Sequence, residues 1–245
     1  MRYKIVLEYD GSAFHGWQRQ KGCRTVQGET EAALAHITPG AAVTASGRTD
    51  EGVHALAQPA HFDSDSGLDP ETMMRALNHW LPEDVKVKSC SYAPAGFDAR
   101  KSAKRKTYEY VMYVSPVESP LRRTRECRIG ESADVAAMRE GVAALVGTHD
   151  FSAFMSSGSS AKTFVRTVYE SDIRTEGDRI VYRVTGSGFL YNMVRIIAGA
   201  LMRIGRGEKS PASVAAALAS GDRREMPDIA PPQALYLVGA EYEEG

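Results

Sequence analysis

An α+β fold is expected, made of two ferredoxin-like (β-α-β-β-α-β) halves with mixed or antiparallel sheets and a cleft between them. Three observations point to it. Short runs that alternate apolar and polar residues, such as Ile5, Leu7 and Tyr9 along 3–10, are interleaved with stripes at helical spacing. The order strand, helix, strand, strand, helix, strand is complete by Tyr92 and is read again between Thr107 and Tyr242, with one added helix. Most helical stripes also carry their own start or stop signals. The halves are placed at 1–100 and 101–245; element order repeats between them, residues do not.

Taken in order, the first strand is Tyr3 to Asp10. Gly11 to Arg24 is a polar loop holding Phe14, His15, Trp17, Gln18, Arg19 and Lys21. Thr25 offers a capping hydroxyl to a helix with the stripe Val26, Ala33, Leu34 and Ile37, stopped by Pro39-Gly40. Ala41–Ser46 and His54–Phe62 read as strands joined by a loop that contains Asp50. Asp69-Pro70 is a cap followed by the residue suited to a first helical turn. The helix it opens turns Met73, Met74, Leu77 and Leu81 inward and stops at Pro82. Asp84 to Tyr92, with Val85 and Val87 between lysines, closes the half.

The second half follows a basic bridge, Phe97 to Lys106. Thr107 to Val114 is a strand with Tyr108, Tyr110 and Met112 on one face. Ser115 to Arg128 is a loop with Pro116, Pro120 and four arginines. Asp134 to Val146 reads as an amphipathic helix. His149 to Phe154 and a Ser/Gly-rich loop at 156–160 lead to a hairpin, Phe164–Arg174 and Arg179–Ser187. Leu190 to Ile204 is an apolar helix carrying Arg195, Pro211 to Leu218 a short helix, and Leu235 to Tyr242 a closing strand.

The 245 residues, 43% hydrophobic and 25% charged, are enough for a sizeable core. A net charge of −1 means that any nucleic-acid surface must be local. The three cysteines, Cys23, Cys90 and Cys127, are odd in number and show no CxxC spacing, which argues against a disulfide framework and a structural zinc site. A cytoplasmic location is expected: Met1 to Lys4 passes straight into a strand with no signal-peptide core. The longest apolar run, 196–202, is too short to span a membrane.

Few residues can carry chemistry. Asp50 sits between Gly47 and Gly52 with Arg48 two positions away; Thr49 to Gly52 is also ordinary turn chemistry. The bridge cations Arg100, Lys101, Lys104, Arg105 and Lys106 have no acidic residue among them; such runs are usually solvated, but in a near-neutral chain this one favours a phosphate contact patch. Trp17 to Lys21 is either an aromatic-and-cation contact loop or a buried tryptophan under a polar rim. Arg122, Arg123, Arg125 and Arg128 read as a solvated loop. Asp63 and Asp65 form a weak metal motif, and His54 and His61 read as packing or hydrogen-bonding residues. There is no serine elbow, P-loop or dinucleotide fingerprint. A catalyst from this chain would use a carboxylate, cations and a tyrosine.

Gly47 to Ala55, with the sequence GRTDEGVHA, resembles the signature of the TruA family of tRNA pseudouridine synthases. Further motifs resemble that family in the same order: Gly16-Trp17-Gln18, Thr25 to Gly28, Ala76 to Asn78 with Leu81-Pro82, Lys106 to Tyr110, His149 to Phe151, Phe189 to Arg195, and Leu235 to Gly239. Two positions depart from the pattern: Asp98 and Tyr191 stand where histidine is expected. The resemblance implies isomerisation of uridine to pseudouridine at positions 38 to 40 of the tRNA anticodon stem-loop. It implies Asp50 as nucleophile, Tyr108 against the target base, and Arg48 and Arg195 near the carboxylate. Substrate contacts are expected at Leu235, Gln18, Arg19, Lys101, Lys104 and Arg105. It further implies a homodimer, with no cofactor, metal or membrane.

The residue chemistry agrees with that implication. A carboxylate can act as the covalent partner, a nearby guanidinium favours its charged form, and a flipped pyrimidine needs an aromatic surface. Two other classes remain. A non-catalytic RNA-binding module accounts for the cations but lacks the expected aromatic strand motif. A metal-dependent phosphodiesterase built on Asp10, Asp50, Asp63 and Asp65 would need a divalent ion.

Overall fold

Strand β1 (Arg2–Tyr9) buries alternate residues, and Tyr3, Ile5, Leu7 and Tyr9 all face the core. The structure, a computed structural model, describes residues 1–158 and 161–243; Ser159 and Ser160 of the expected Ser/Gly-rich loop, and the last two residues, lie outside the described residues. The chain divides into two units, Met1–Lys104 with Tyr236–Gly245, and Arg105–Leu235. The fold is α+β, and the elements expected from the sequence appear in the expected order, with two short strands added in the second half.

In the first unit, α1 (Val26–Ala35) is capped by Thr25, whose hydroxyl accepts from the Gly28 N–H. Asp69 caps α2 (Pro70–Trp80) by accepting from the N–H groups of Glu71 and Thr72. Met73, Leu77 and Leu81 are buried as expected, whereas Met74 is only half-buried. Strands β3 (His54–Asp63) and β4 (Val85–Ala93) flank β1, both antiparallel to it. Strand β2 is only Thr44–Ala45, shorter than the 41–46 expected. Val43 explains part of the difference: its N–H donates to the buried Glu31 carboxylate at 3.1 Å. Strand β10 (Leu235–Tyr242), which sequence order places at the end of the second half, runs parallel to β3 at His54 and Ala55. β1 lines one edge of β3, so β2 and β10 share the other.

In the second unit, β5 (Ala103–Val114, of which Arg105 onward belongs here), β9 (Arg179–Gly186), β8 (Val165–Glu176) and β7 (Gly147–Asp150) pair antiparallel in that order. Short β6 (Cys127–Gly130) runs parallel to β5. Neither β6 nor β7 is visible as a sequence pattern; four residues are too few for alternation to register. β5 starts earlier than expected and takes in Lys104, Arg105 and Lys106 of the basic bridge. Helix α3 (Val135–Ala143) packs on β8, and α4 (Met193–Gly205) and α5 (Ala212–Ser220) pack on α3; the strands bury Tyr110, Met112, Ile173, Tyr182 and Val184. Among the described residues no helix is long and apolar enough to cross a membrane.

Candidate active site

The loop between β2 and β3 is held by groups from three directions. Gln58, fully buried in β3, accepts from Ser46 Oγ and donates to the Gly47 carbonyl, each at 2.7 Å. The Thr49 carbonyl accepts from the Trp17 N–H at 3.0 Å, and its hydroxyl lies 2.7 Å from the Tyr9 hydroxyl. The Val53 N–H donates to the Asp50 carbonyl at 3.2 Å, closing a turn. Gly52 stands third in that turn with φ +77°, the value that a type II turn requires there.

A second loop, 11–17, locks against this one backbone to backbone. A Cβ at Gly11 would stand 2.0 Å from the Val53 carbonyl oxygen, and one at Gly16 2.6 Å from that of Thr49. The Gly11 N–H donates to His54 Nδ1 at 3.0 Å, and the His54 ring stacks on Tyr236 at 4.8 Å. Asp50 is thus a half-exposed carboxylate between buried Thr49 and exposed Glu51, on a backbone fixed at both sides. A loop braced in this way can hold a side chain at a fixed place.

Arg48 is exposed and makes no ion pair among the described residues. Trp17 is only 2% exposed and tilts against Tyr9 with ring centres 6.2 Å apart, so it is a buried brace for the loop. Gln18 and Arg19 follow it in the chain. Gln27 Oε1 accepts from Gln18 Nε2 at 2.8 Å and from the Arg19 N–H at 3.0 Å, and the Arg19 guanidinium pairs with Glu31 at 2.9 Å.

The basic bridge begins as a built turn. Asp98 Oδ1 accepts from the N–H groups of Arg100 and Lys101, which gives a physical role to the aspartate at this departure from the family pattern. Tyr242 donates to the Ala99 carbonyl at 2.8 Å, and Arg2 holds the Phe97 carbonyl at 2.6 Å. Lys101 remains exposed, while Lys104 pairs with Glu243 at 2.9 Å, so the bridge has an acidic partner that local sequence does not reveal. Arg105 lies over the Tyr169 ring at 4.5 Å.

His61 anchors the same turn by accepting from the Ala99 N–H at 3.0 Å. Burial, helped by the nearby Arg2 guanidinium, lowers its pKa from the ordinary 6.5. A lowered native pKa means that this contribution is complete above about pH 6.5 and is lost as pH falls through the native value. Acidification from about pH 7 to 5 is therefore expected to cost the wild type more stability than His61→Asn, read by urea midpoints at each pH. Equal pH slopes would remove His61 as the titrating anchor.

In the second unit, Tyr108 lies nearly buried on β5, edge-on to Phe189 with ring centres 5.2 Å apart. Leu235 is buried at the start of β10. Arg195, in the first turn of α4, donates from Nε to the Ala230 carbonyl at 2.8 Å and from Nη1 to Asn192 Oδ1 at 3.0 Å. Asn192 escapes sequence reading, because only the structure shows its side chain on the arginine three positions later. Elsewhere, Arg122 and Arg128 stitch their loop to Asp178, Ser115 and Pro116. Arg2 grips Asp63 at 2.9 and 2.7 Å, removing one of the four carboxylates that the phosphodiesterase reading needs. Among the described residues, no three His, Cys, Asp or Glu side chains gather as a metal site.

A family model described as tRNA pseudouridine synthase matches residues 5–100 and 142–243. Curated relatives carry the name tRNA pseudouridine synthase A. One from Geobacillus kaustophilus is 43% identical over 99% of this chain and 95% of its own. One from Geobacter sp. (strain M21) is 44% identical over 98% of both chains. One from Bacillus subtilis is 42% identical over 99% of this chain and the whole of its own. With the braced aspartate loop and matches of this length, the chain belongs to the tRNA pseudouridine synthase family and is an isomerase.

Proposed function

We propose that the protein converts uridine to pseudouridine at positions 38 to 40 of the tRNA anticodon stem-loop, with Asp50 as the nucleophile. The observation that supports this best is the double clamp on the loop that presents Asp50. The reaction balances without redox chemistry: the N1–C1′ bond breaks, a C5–C1′ bond forms, C5 loses a proton and N1 gains one. Asp50 carries the covalent step, at C1′ or at the base. Tyr108 offers a ring to the flipped uracil and a hydroxyl to the C5 proton. Leu235 adds apolar contact. Arg195 serves the same reaction as a fixed cation, and Arg48 as an exposed cation near the carboxylate. Gln18, Arg19, Lys101, Lys104 and Arg105 contact tRNA. The protein works as a cytoplasmic homodimer with no cofactor or metal.

The test is an unmodified tRNA transcript incubated with protein and excess chelator, followed by base-resolved detection of pseudouridine. Pseudouridine confined to positions 38 to 40 is expected. Its absence from folded tRNA, or an absolute need for a divalent ion in the chemical step, would overturn the proposal.

Two variants probe its parts. Tyr108→Phe keeps the ring and removes the hydroxyl, so it is expected to bind tRNA normally and turn over about 100-fold more slowly. Wild-type turnover would leave Tyr108 a stacking role only. Glutamine at Lys101, Lys104 and Arg105 together is expected to weaken binding and flatten its salt dependence. The log–log slope should fall by about 0.7–0.9 for each phosphate that is no longer neutralised. Lys104, already paired with Glu243, should contribute least. An unchanged slope would return this stretch to a solvated surface.

A further inference from the structure

Asn192 stands alone among the described residues as a non-glycine with positive φ, at +61° with ψ 7°. That left-handed conformation is disfavoured for L-residues, and asparagine is one of the few that tolerate it. It holds the capping position of α4, yet its side chain caps no helix N–H. The amide is used elsewhere. Oδ1 accepts from Arg195 Nη1 at 3.0 Å, and Nδ2 donates to Ser156 Oγ at 3.0 Å. The orientation of the amide is unambiguous, because a guanidinium only donates and must face the oxygen. Ser156 is tied to the same place a second time, its N–H donating to the Tyr191 carbonyl at 3.1 Å.

Arg195 is gripped on its other side by Ala230. Its Nε donates to the Ala230 carbonyl at 2.8 Å, and the Ala230 N–H returns a bond to the Arg195 carbonyl at 3.0 Å. Two acceptors on different edges of a planar fork fix both its position and its tilt. A strained backbone that survives at such a place is overdetermined by its surroundings, and strain of this kind clusters at functional sites.

We propose that Asn192 is a positioning residue: with Ser156 behind it, its amide sets the orientation of the Arg195 guanidinium for the isomerisation. This rests on the reading that Arg195 serves that reaction. The competing account is that Asn192 only supplies a left-handed turn at the start of α4. Glycine separates the two, since it adopts the left-handed conformation more readily than asparagine but has no amide.

The experiment compares Asn192→Gly, Ser156→Ala, Arg195→Ala and the Asn192→Gly/Arg195→Ala pair, measuring kcat, KM for tRNA and melting temperature. Asn192→Gly is expected to melt at or above the wild-type temperature, keep its KM, and lose about ten- to a hundred-fold in kcat. The pair should be no slower than Arg195→Ala alone, because the amide acts only through the guanidinium. Ser156→Ala should lose a smaller part of kcat at unchanged melting temperature. Wild-type kcat in Asn192→Gly beside an impaired Arg195→Ala overturns the positioning role while leaving Arg195 in place. Wild-type kcat in Arg195→Ala overturns both. Should Asn192→Gly fail to fold, Ser156→Ala decides: a lowered kcat supports the role, and an unchanged one overturns it.

Discussion

Asp50→Asn is expected to fold normally, bind tRNA with near wild-type affinity, and form no pseudouridine. Asparagine has almost the shape of aspartate but is uncharged and a poor nucleophile. The contacts that hold the loop come from the Asp50 carbonyl, from both groups of Thr49 and from Gln58, and the substitution leaves each of them in place. Affinity is spread over many phosphate contacts, and removing one negative charge does not oppose it. A covalent route has no substitute for the missing oxygen, so the loss should reach the limit of detection rather than a few-fold. Asp50→Glu should fail as well. Its extra methylene displaces the attacking oxygen from a backbone fixed on both sides, and an error near 1 Å costs about 100-fold. Circular dichroism and filter binding, run beside turnover, separate this outcome from simple unfolding. Loss of fold and binding together would return the loop to a structural turn.

Gly11→Ala is expected to have the largest effect of any substitution that leaves every proposed chemical group intact. The added Cβ would meet the Val53 carbonyl oxygen at 2.0 Å and its carbon at 2.5 Å. Both are backbone atoms, so the two loops must part. Overpacking against a rigid partner costs about 1–3 kcal/mol and occasionally more, and this contact is at the severe end. Turnover should fall with stability, because the Asp50 turn ends at Val53. Gly22→Ala is the matching control. It has φ +78° but nothing within 4 Å, so it carries backbone strain alone, about 1 kcal/mol, and should keep most activity. Urea unfolding read with turnover distinguishes them. A Gly11→Ala variant as stable and active as wild type would show that the loops need not be locked.

Much of this is legible in the chain, and the reasons differ from place to place. The caps are readable because Thr25 and Asp69 act on N–H groups two or three residues away, a distance that sequence preserves. The alternation of β1 is readable because one face is buried along its whole length. Asp50 is readable as a candidate through its glycines and through the family resemblance. Its clamp is not, since Trp17, Tyr9 and Gln58 reach it only through tertiary packing. The same holds for Lys104, whose partner Glu243 lies far along the chain, and for the fate of Trp17, which local composition leaves open between stacking surface and buried brace. Arg48 is exposed two residues from Asp50; closeness along the chain does not by itself make a contact. Strands β6 and β7 are made by their partners rather than by their own pattern.

The central claim, isomerisation that depends on the Asp50 carboxylate, is tested most directly with tRNA carrying tritium at uridine C5. Forming the new C5–C1′ bond expels that hydrogen to solvent, whereas binding or strand cleavage leaves it on the base. Wild-type protein with chelator present is expected to release the tritium of the target uridines to completion, while Asp50→Asn at equal tRNA occupancy releases none above the protein-free blank. Sustained release by Asp50→Asn would contradict the nucleophile, and no release by the wild type from correctly folded tRNA would contradict the reaction itself.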